Sequence, residues 1–518
     1  MNRTLLKLRQ TFIVFFITVI GFSQSDKTVI EIKNDDESPI ISKHIYGHFA
    51  EHLGRCIYDG IYVGENSKIP NTNGVRNDII DALKAIKIPN LRWPGGCFAD
   101  TYHWKDGVGP KKDRPSMVNR WWGGVVEDNS FGTHDFLNLC EVLGTEPYLA
   151  ANVGSSTVKD FTEYIQYVGH KEGSPMSDYR IENGRKEPWK VKYWGVGNEM
   201  WGCGGNMTPE HYANIYRQYA TFMTDWTNSD GLFRIASGAN VADYHWTEVL
   251  MRDIPKFLIE GVALHSYSFV EWNKKGSSTK FNEAQYFSTM QTALKMEELI
   301  IKHTAIMDKY DPKNEIALIV DEWGGWYEVE EGTNPGFLYQ QNTIRDAMIA
   351  GTTLNIFNNH SDRVKMANLA QTVNVLQAVI LTEGEKMLLT PTYHVMKMYT
   401  VHHDAKLLPL SFTSPSYEFN NESLPAISAS ASKDKDGVVH ISLVNIDSSK
   451  ENTLEIDCSN LDIKDFTGSI LTSKNLQDHN TFDNPTKIQT TTFKDFKFKK
   501  GKLKIILPPF SVVILESK

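Results

Sequence analysis

A chain of 518 residues can bury a large core and exceeds one ordinary domain, so two or three domains are expected. Its 54 basic and 63 acidic side chains leave a net charge of −9. There is no basic excess to offset phosphate repulsion, which excludes nucleic acid as a partner and favours an uncharged substrate.

In chain order, Arg3, Lys7 and Arg9 precede an apolar run from Thr11 to Phe22, with the small residues Gly21 and Ser23 at its end. This pattern reads as a secretory signal peptide over residues 1–23. The run is too short to span a bilayer, and no later segment reaches the ~18 apolar residues of a membrane helix. The expectation is an exported protein, periplasmic or extracellular, with no membrane span. No Cys follows the run before Cys56, so a lipid anchor at the cleavage point is not expected.

Thr28 to Lys33 alternates as a short strand, and residues 24–45 read as an N-terminal segment that joins a β-sandwich. From residue 46 to about 395, amphipathic helical stretches alternate with short apolar strands. Examples are Asp78–Ile86 then Asn90–Trp93, Phe131–Leu143 then Pro147–Asn152, and Pro209–Thr227 then Arg234–Ala239. Trp246–Ile254 then Gly261–Tyr267, and Phe287–Asp308 then Ile316–Val320, continue the series. Such units imply an α/β fold with a parallel sheet, and at this size a closed (β/α)8 barrel, with an open doubly wound sheet as the alternative. Over 396–518 the pattern changes to runs such as Val438–Val444, Thr453–Ile456, Lys502–Leu507 and Ser511–Leu515. Those runs, separated by polar turns, predict an all-β sandwich of jelly-roll type.

Two segments carry the chemistry. Trp194-Gly195-Val196-Gly197-Asn198-Glu199-Met200-Trp201 brings a carboxylate off an apolar strand beside an amide and indoles, and Ile316–Val320 ends in Asp321-Glu322-Trp323-Gly324-Gly325-Trp326. Two carboxyls at the C-terminal ends of barrel strands suit glycoside hydrolysis, which with retention requires them roughly 5–5.5 Å apart. Neighbours on a strand face opposite sides, so the pattern leaves open whether Asp321 or Glu322 points inward. The chain has 12 Trp, several beside Gly and Asn in loops, where indole faces can pack on sugar C–H groups. His265, His360, His402 and His403 lack metal-ligand spacing and read as hydrogen-bonded or surface histidines; neither metal nor cofactor is expected. The 5 cysteines are too scattered for a disulfide framework, and their odd number leaves at least one thiol unpaired.

Phe49-Ala50-Glu51-His52-Leu53-Gly54-Arg55, Arg92-Trp93-Pro94-Gly95-Gly96, Gly197-Asn198-Glu199-Met200, Asp321-Glu322-Trp323 and Asp362-Arg363-Val364-Lys365-Met366-Ala367-Asn368 resemble the family 51 glycoside hydrolases, the α-L-arabinofuranosidases. The likeness runs in the same order over about residues 28–518. It implies a retaining, exo-acting arabinofuranosidase on arabinan, arabinoxylan or related oligosaccharides, with Glu199 as acid/base and Glu322 as nucleophile. It further implies that Glu51, Asn198 and Gln371 hold the sugar, that Tyr267 and Arg92 orient the nucleophile, that Trp122 and Trp326 wall the arabinose and leaving group, and that the protein assembles as a homo-oligomer, often a hexamer.

One departure bears on the sugar site: Cys97 stands where many members carry an Asn that bonds a sugar hydroxyl, and a thiol is a poor replacement donor. Cys203, four residues past Glu199, is expected to pair with Cys97 in a disulfide at the barrel mouth. The competing functions are an endo-β-glucanase or xylan-directed hydrolase on the same scaffold, a non-catalytic carbohydrate-binding protein, and a metal-dependent hydrolase.

Overall fold

Eight short strands close into a parallel barrel in the computed structural model, which describes residues 28–33, 35, 37–227 and 231–518. They are β1 (Gly47–Phe49), β2 (Asn90–Trp93), β3 (Glu146–Ala151), β4 (Tyr193–Val196), β5 (Phe233–Asn240), β6 (Gly261–Ser268), β7 (Ala317–Gly325) and β8 (Val364–Ala370). Every residue of β2, β4 and β7 is buried. Strands covered on both faces read as continuous apolar runs, as Tyr193–Val196 and the first four residues of β7 do, whereas β2 alternates and buries its polar Asn90 and Arg92 as well. The signal-peptide reading of residues 1–23 lies outside the described residues.

A helix follows each strand: α1 (Asn77–Ala85), α2 (Thr133–Leu143), α3 (Val158–Gly169), α4 (Pro209–Phe222), α5 (Tyr244–Asp253), α6 (Glu283–Tyr310), α7 (Ile344–Asn359) and α8 (Pro391–Met398). Their starts are written locally. Thr208 and Thr390 cap α4 and α8 through their side chains, with proline as the first helical residue, where its missing N–H costs nothing.

Two largely antiparallel sheets complete the chain. The six-stranded one includes Ile427–Lys433, Val439–Asn445 and Ser511–Ser517; the five-stranded one includes Asn452–Asp457 and Lys502–Leu507. Thr28–Ile32 sits inside the five-stranded sheet, parallel to Asn452–Asp457 and antiparallel to Leu410–Ser411. Helix α7 lies between barrel and sheet and is buried from Ile344 to Asn358. Its small residues permit the approach: a Cβ on Gly351 would lie 2.8 Å from Val444 Cγ2. Asn355 Oδ1 accepts from Ser430 Oγ, Ser442 Oγ and Tyr399 Oη at 2.9, 2.7 and 2.9 Å, so this buried amide oxygen is fully used in tying the helix to the sheet.

The ladder is irregular where the chemistry lies. The β6–β7 register shifts between Ala263 and His265, and β7–β8 shifts between Val320 and Trp323. Such shifts re-aim side chains. Asp321 and Glu322 both face the barrel interior, because strict alternation does not survive the shift: each contacts Arg92 and His265.

Candidate active site

Arg92, at the end of β2, is buried and sets the floor. Its Nη1 donates to Glu322 Oε1 at 2.9 Å and to Asp321 O at 3.0 Å, and its Nη2 donates to Asn198 Oδ1 at 2.5 Å. Burial alone would weaken the guanidinium, but Asp321 and Glu322 hold its pKa above the ordinary arginine range. Glu322 Oε2 accepts from Tyr267 Oη at 2.8 Å. Both oxygens of Glu322 are thus held by donors, which fixes the orientation of the carboxylate.

Glu199 leaves β4 through Gly197 and occupies a left-handed conformation, φ 43°. A non-glycine residue there is strained, and the surroundings pin it. Asn198 N donates to Asp100 Oδ2 at 2.8 Å, and the other oxygen of this buried carboxylate takes Val153 N and Gly154 N at 2.7 and 2.8 Å. Glu199 Oε1 lies 2.9 Å from His265 Nδ1, whose Nε2 is 3.1 Å from Asp321 Oδ1. Burial raises the Glu199 pKa and the Glu322 charge raises it further, against the lowering contact with His265. Burial opposes the His265 charge, yet Glu322 and Asp321 push it up to about 10. Glu199 and His265 therefore titrate as a pair whose proton the two neighbouring carboxylates retain. Asp321, which burial would raise, is kept below the usual carboxylate range by Arg92 and His265.

One ligand atom each of Glu199, His265 and Glu322 lies within 4.8 Å of the others. All three are engaged with one another, and the Arg92 guanidinium 2.9 Å from Glu322 opposes a second cation. The arrangement is a proton-handling pair beside a clamped carboxylate. Gly96 makes room for it, since a Cβ there would lie 2.7 Å from Glu322 Oε1.

A second group adjoins this one. Glu51 Oε1 accepts from Trp122 Nε1 at 2.8 Å and Phe98 N at 3.0 Å, and its Oε2 accepts from Gln371 Nε2 at 3.0 Å. Burial and the nearby Glu322 raise the Glu51 pKa to about 7. Gln371 Oε1 is buried without a partner among the described residues. Of the adjacent indoles, Trp122 reaches Glu51, while Trp121 lies under Arg120, whose guanidinium carbon is 4.7 Å from its ring. Trp326 sits elsewhere, edge-on to Tyr267 at 5.0 Å, so the two indoles named from sequence serve different sides of the site.

Cys97 and Cys203 are joined, with sulfurs 2.07 Å apart. Their Sγ atoms lie 4.0 and 3.5 Å from Glu199 Oε2. A disulfide has no S–H to donate, so this edge presents sulfur surface where the resembled family offers an amide. Cys56, Cys140 and Cys458 are free and buried.

Sequence reasoning missed two site residues and left a third open. His265 reads as a hydrogen-bonded or surface histidine, Asp100 lies in a loop with no motif, and the pattern does not decide between Asp321 and Glu322, both of which the structure turns inward. The parity of His265 and Tyr267 on one strand was the available signal, since residues two apart share a face.

An eight-stranded barrel with two carboxyls at its C-terminal mouth, one clamped by Arg and Tyr and one hydrogen-bonded to His, defines a glycoside hydrolase. Residues 82–310 match the family described as "Alpha-L-arabinofuranosidase 1 domain", and residues 321–511 match "Alpha-L-arabinofuranosidase C-terminal domain". The chain belongs to the family 51 α-L-arabinofuranosidases. It is 50% identical over 504 residues, 97% of this chain and 98% of the relative, to an "Intracellular exo-alpha-L-arabinofuranosidase" of Bacteroides ovatus. A solved GH51 arabinofuranosidase from Xanthomonas axonopodis pv. citri superposes with TM-score 0.93 at 46% identity, covering 95% of this chain and 100% of that one. An α-L-arabinofuranosidase from Thermotoga maritima, solved as an arabinose complex, gives TM-score 0.83 at 30% identity over 95% and 100%. The expectation of export is corrected by the first of these: a relative matching almost the whole chain is named an intracellular enzyme.

Proposed function

We propose that this arabinofuranosidase releases terminal non-reducing α-L-arabinofuranosyl residues with retention, Glu322 acting as nucleophile and Glu199 as acid/base. The observation that carries the assignment is the unequal treatment of two carboxyls whose oxygens lie within 4.8 Å. That spacing fits the retaining class and is well short of the roughly 6.5–9.5 Å that inversion needs for a water. Glu322, fixed by Arg92 and Tyr267, attacks the anomeric carbon. Glu199 gives its proton to the departing oxygen, and the carboxylate left behind accepts Nδ1–H of the His265 imidazolium, whose Nε2–H stays on Asp321. After departure, Glu199 takes a proton from the water that opens the arabinosyl-enzyme, so the two displacements restore the original configuration.

Glu51, Asn198 and Gln371 receive the furanose hydroxyls. The unpartnered Gln371 Oε1 supports this, because a buried acceptor left without a donor costs about 1–3 kcal/mol until a ligand supplies one. Trp122 lines that side, Trp326 the leaving-group side, and the Cys97–Cys203 disulfide the rim between them. The substrates are arabinose-bearing plant polysaccharides and their oligosaccharides. NMR of the first product formed from an aryl α-L-arabinofuranoside tests the reading: α-L-arabinofuranose is expected, and a β-configured first product removes Glu322 as nucleophile.

A further inference from the structure

Cys97 Sγ, Cys203 Sγ and a carboxylate oxygen of Glu199 lie within 4.8 Å of one another, and all three side chains are partly exposed. The two oxygens of Glu199 have different neighbours. Oε1 meets His265, whereas Oε2 lies 3.5 Å from the Cys203 sulfur and 4.0 Å from that of Cys97. Arg92 directs its guanidinium to Glu322, Asp321 and Asn198 rather than to Oε2. The backbone places two of the three groups: Gly202 N and Gly204 N both donate to Glu199 O, at 2.7 and 3.2 Å, folding residues 199–204 into a turn that returns Cys203 to the Glu199 side chain. Asn198 Nδ2 approaches the Cys203 sulfur at 3.9 Å, an amide donor of the kind that supports a metal-bound thiolate. A tetrahedral zinc ion, with Zn–S of about 2.3 Å and Zn–O of about 2.1 Å, sets a sulfur and an oxygen ligand about 3.6 Å apart and two sulfurs about 3.8 Å apart. Both sulfur-to-Oε2 distances already suit that geometry. The sulfur-to-sulfur distance, 2.07 Å in the disulfide, is too short, and it is the one that reduction releases.

We propose that reduction of Cys97–Cys203 turns this edge into a site for a thiophilic divalent cation such as Zn²⁺, held by both thiolates and Glu199 and completed by water, and that the occupied enzyme is inactive. Two thiolates and one carboxylate select Zn²⁺ or Cd²⁺ over Mg²⁺ and Ca²⁺, which take oxygen donors throughout. A dithiol reductant supplies two electrons and two protons: the S–S bond breaks, two S–H groups form, and the reductant closes to its own disulfide. The cation then displaces both thiol protons and the Glu199 proton to solvent. Turnover stops because the metal holds the carboxylate that must protonate the leaving group. That arrest rests on the assignment of Glu199 as acid/base, whereas the binding of metal does not.

The test uses the full chain in two states, disulfide-bonded and reduced with dithiothreitol that is then removed by anaerobic gel filtration. Equilibrium dialysis against Zn²⁺ should find one more bound equivalent in the reduced state, and Co²⁺ in its place should show a thiolate charge-transfer band. On an arabino-oligosaccharide, whose leaving group needs a proton, saturating Zn²⁺ should lower kcat/KM about 10²-fold or more in the reduced state and less than about twofold in the disulfide state. EDTA should restore the rate. Cys203→Ala, judged against its own metal-free rate, should lose the extra equivalent, the band and the inhibition together. Zn²⁺ should also raise the melting temperature of the reduced chain alone, which keeps the site testable where reduction loosens the barrel mouth. Equal Zn²⁺ uptake in the two states, absence of the band, or a melting temperature that Zn²⁺ leaves unmoved overturns the site. Uptake with the band but undiminished turnover overturns Glu199 as the third ligand. Failure of the acid/base reading is separately visible, as full activity of disulfide-bonded Glu199→Ala on the same substrate.

Discussion

The ends of β4 and β7 present the same side chain and treat it in opposite ways. At β7, Glu322 has donors on both oxygens and sits in a strand buried along its whole length. At β4, Glu199 follows a strained left-handed turn, has one imidazole partner, and otherwise faces sulfur and the cavity. The lesson is that role follows from the partners of a carboxyl: cationic and phenolic donors fix a nucleophile, whereas burial beside another carboxylate holds a proton on an acid.

The comparison predicts a graded set of losses. Glu322→Gln should be the most severe, lowering kcat/KM on the order of 10⁴-fold or more on every arabinoside, because no bond to the sugar can form; stopped-assay product counts check it. Glu199→Ala should cost about 10²–10⁴-fold on poor leaving groups and much less on the first step with an aryl group that needs no proton. Added azide should restore turnover in that variant and give an arabinosyl azide of retained configuration, and an inverted azide would reverse the two roles. Gly96→Ala, which pushes on Glu322 Oε1, should cost roughly 10²-fold through misplacement of the nucleophile, with Glu199 chemistry otherwise intact.

His265→Gln should act mainly on the pH profile. The imidazole lowers the Glu199 pKa, so its removal lets Glu199 keep its proton to higher pH. The basic limb of kcat/KM should move up, and a downward move would show that His265 supports protonation of Glu199. Smallest in activity, dithiol reduction of Cys97–Cys203 should change kcat/KM by less than about tenfold while lowering the melting temperature, since the bond closes a 106-residue loop and disulfides typically contribute about 2–4 kcal/mol, long loops the most.

Much of the barrel was legible because strands such as Glu146–Ala151 and Gly261–Ser268 carry short apolar runs between amphipathic helices. β7 was legible only to Val320, since Asp321-Glu322 are charged and Gly324-Gly325 lack side chains, so the motif looks like loop until both neighbouring strands bury it. Short sheet strands such as Thr491–Phe493 carry too few residues to show a period. In the site, Glu199, Glu322 and Arg92 stood out as charged side chains at strand ends. Asp100 did not, because it acts through backbone N–H groups of Val153, Gly154 and Asn198, which carry no sequence signal. The rule of alternation failed at Asp321-Glu322, where the register shift turns both inward.

The strand Thr28–Ile32 has a consequence for how the chain is made. It leaves the ribosome before any barrel strand, yet its neighbours Leu410–Ser411 and Asn452–Asp457 emerge more than 370 residues later by position in the sequence. At roughly 5–20 residues per second of synthesis, this early strand keeps its edges unpaired for tens of seconds while the barrel strands emerge one after another. Completion of the five-stranded sheet is a late event that requires both ends of the polypeptide, so a shortened product lacking the last hundred residues would display an open β-edge to its neighbours.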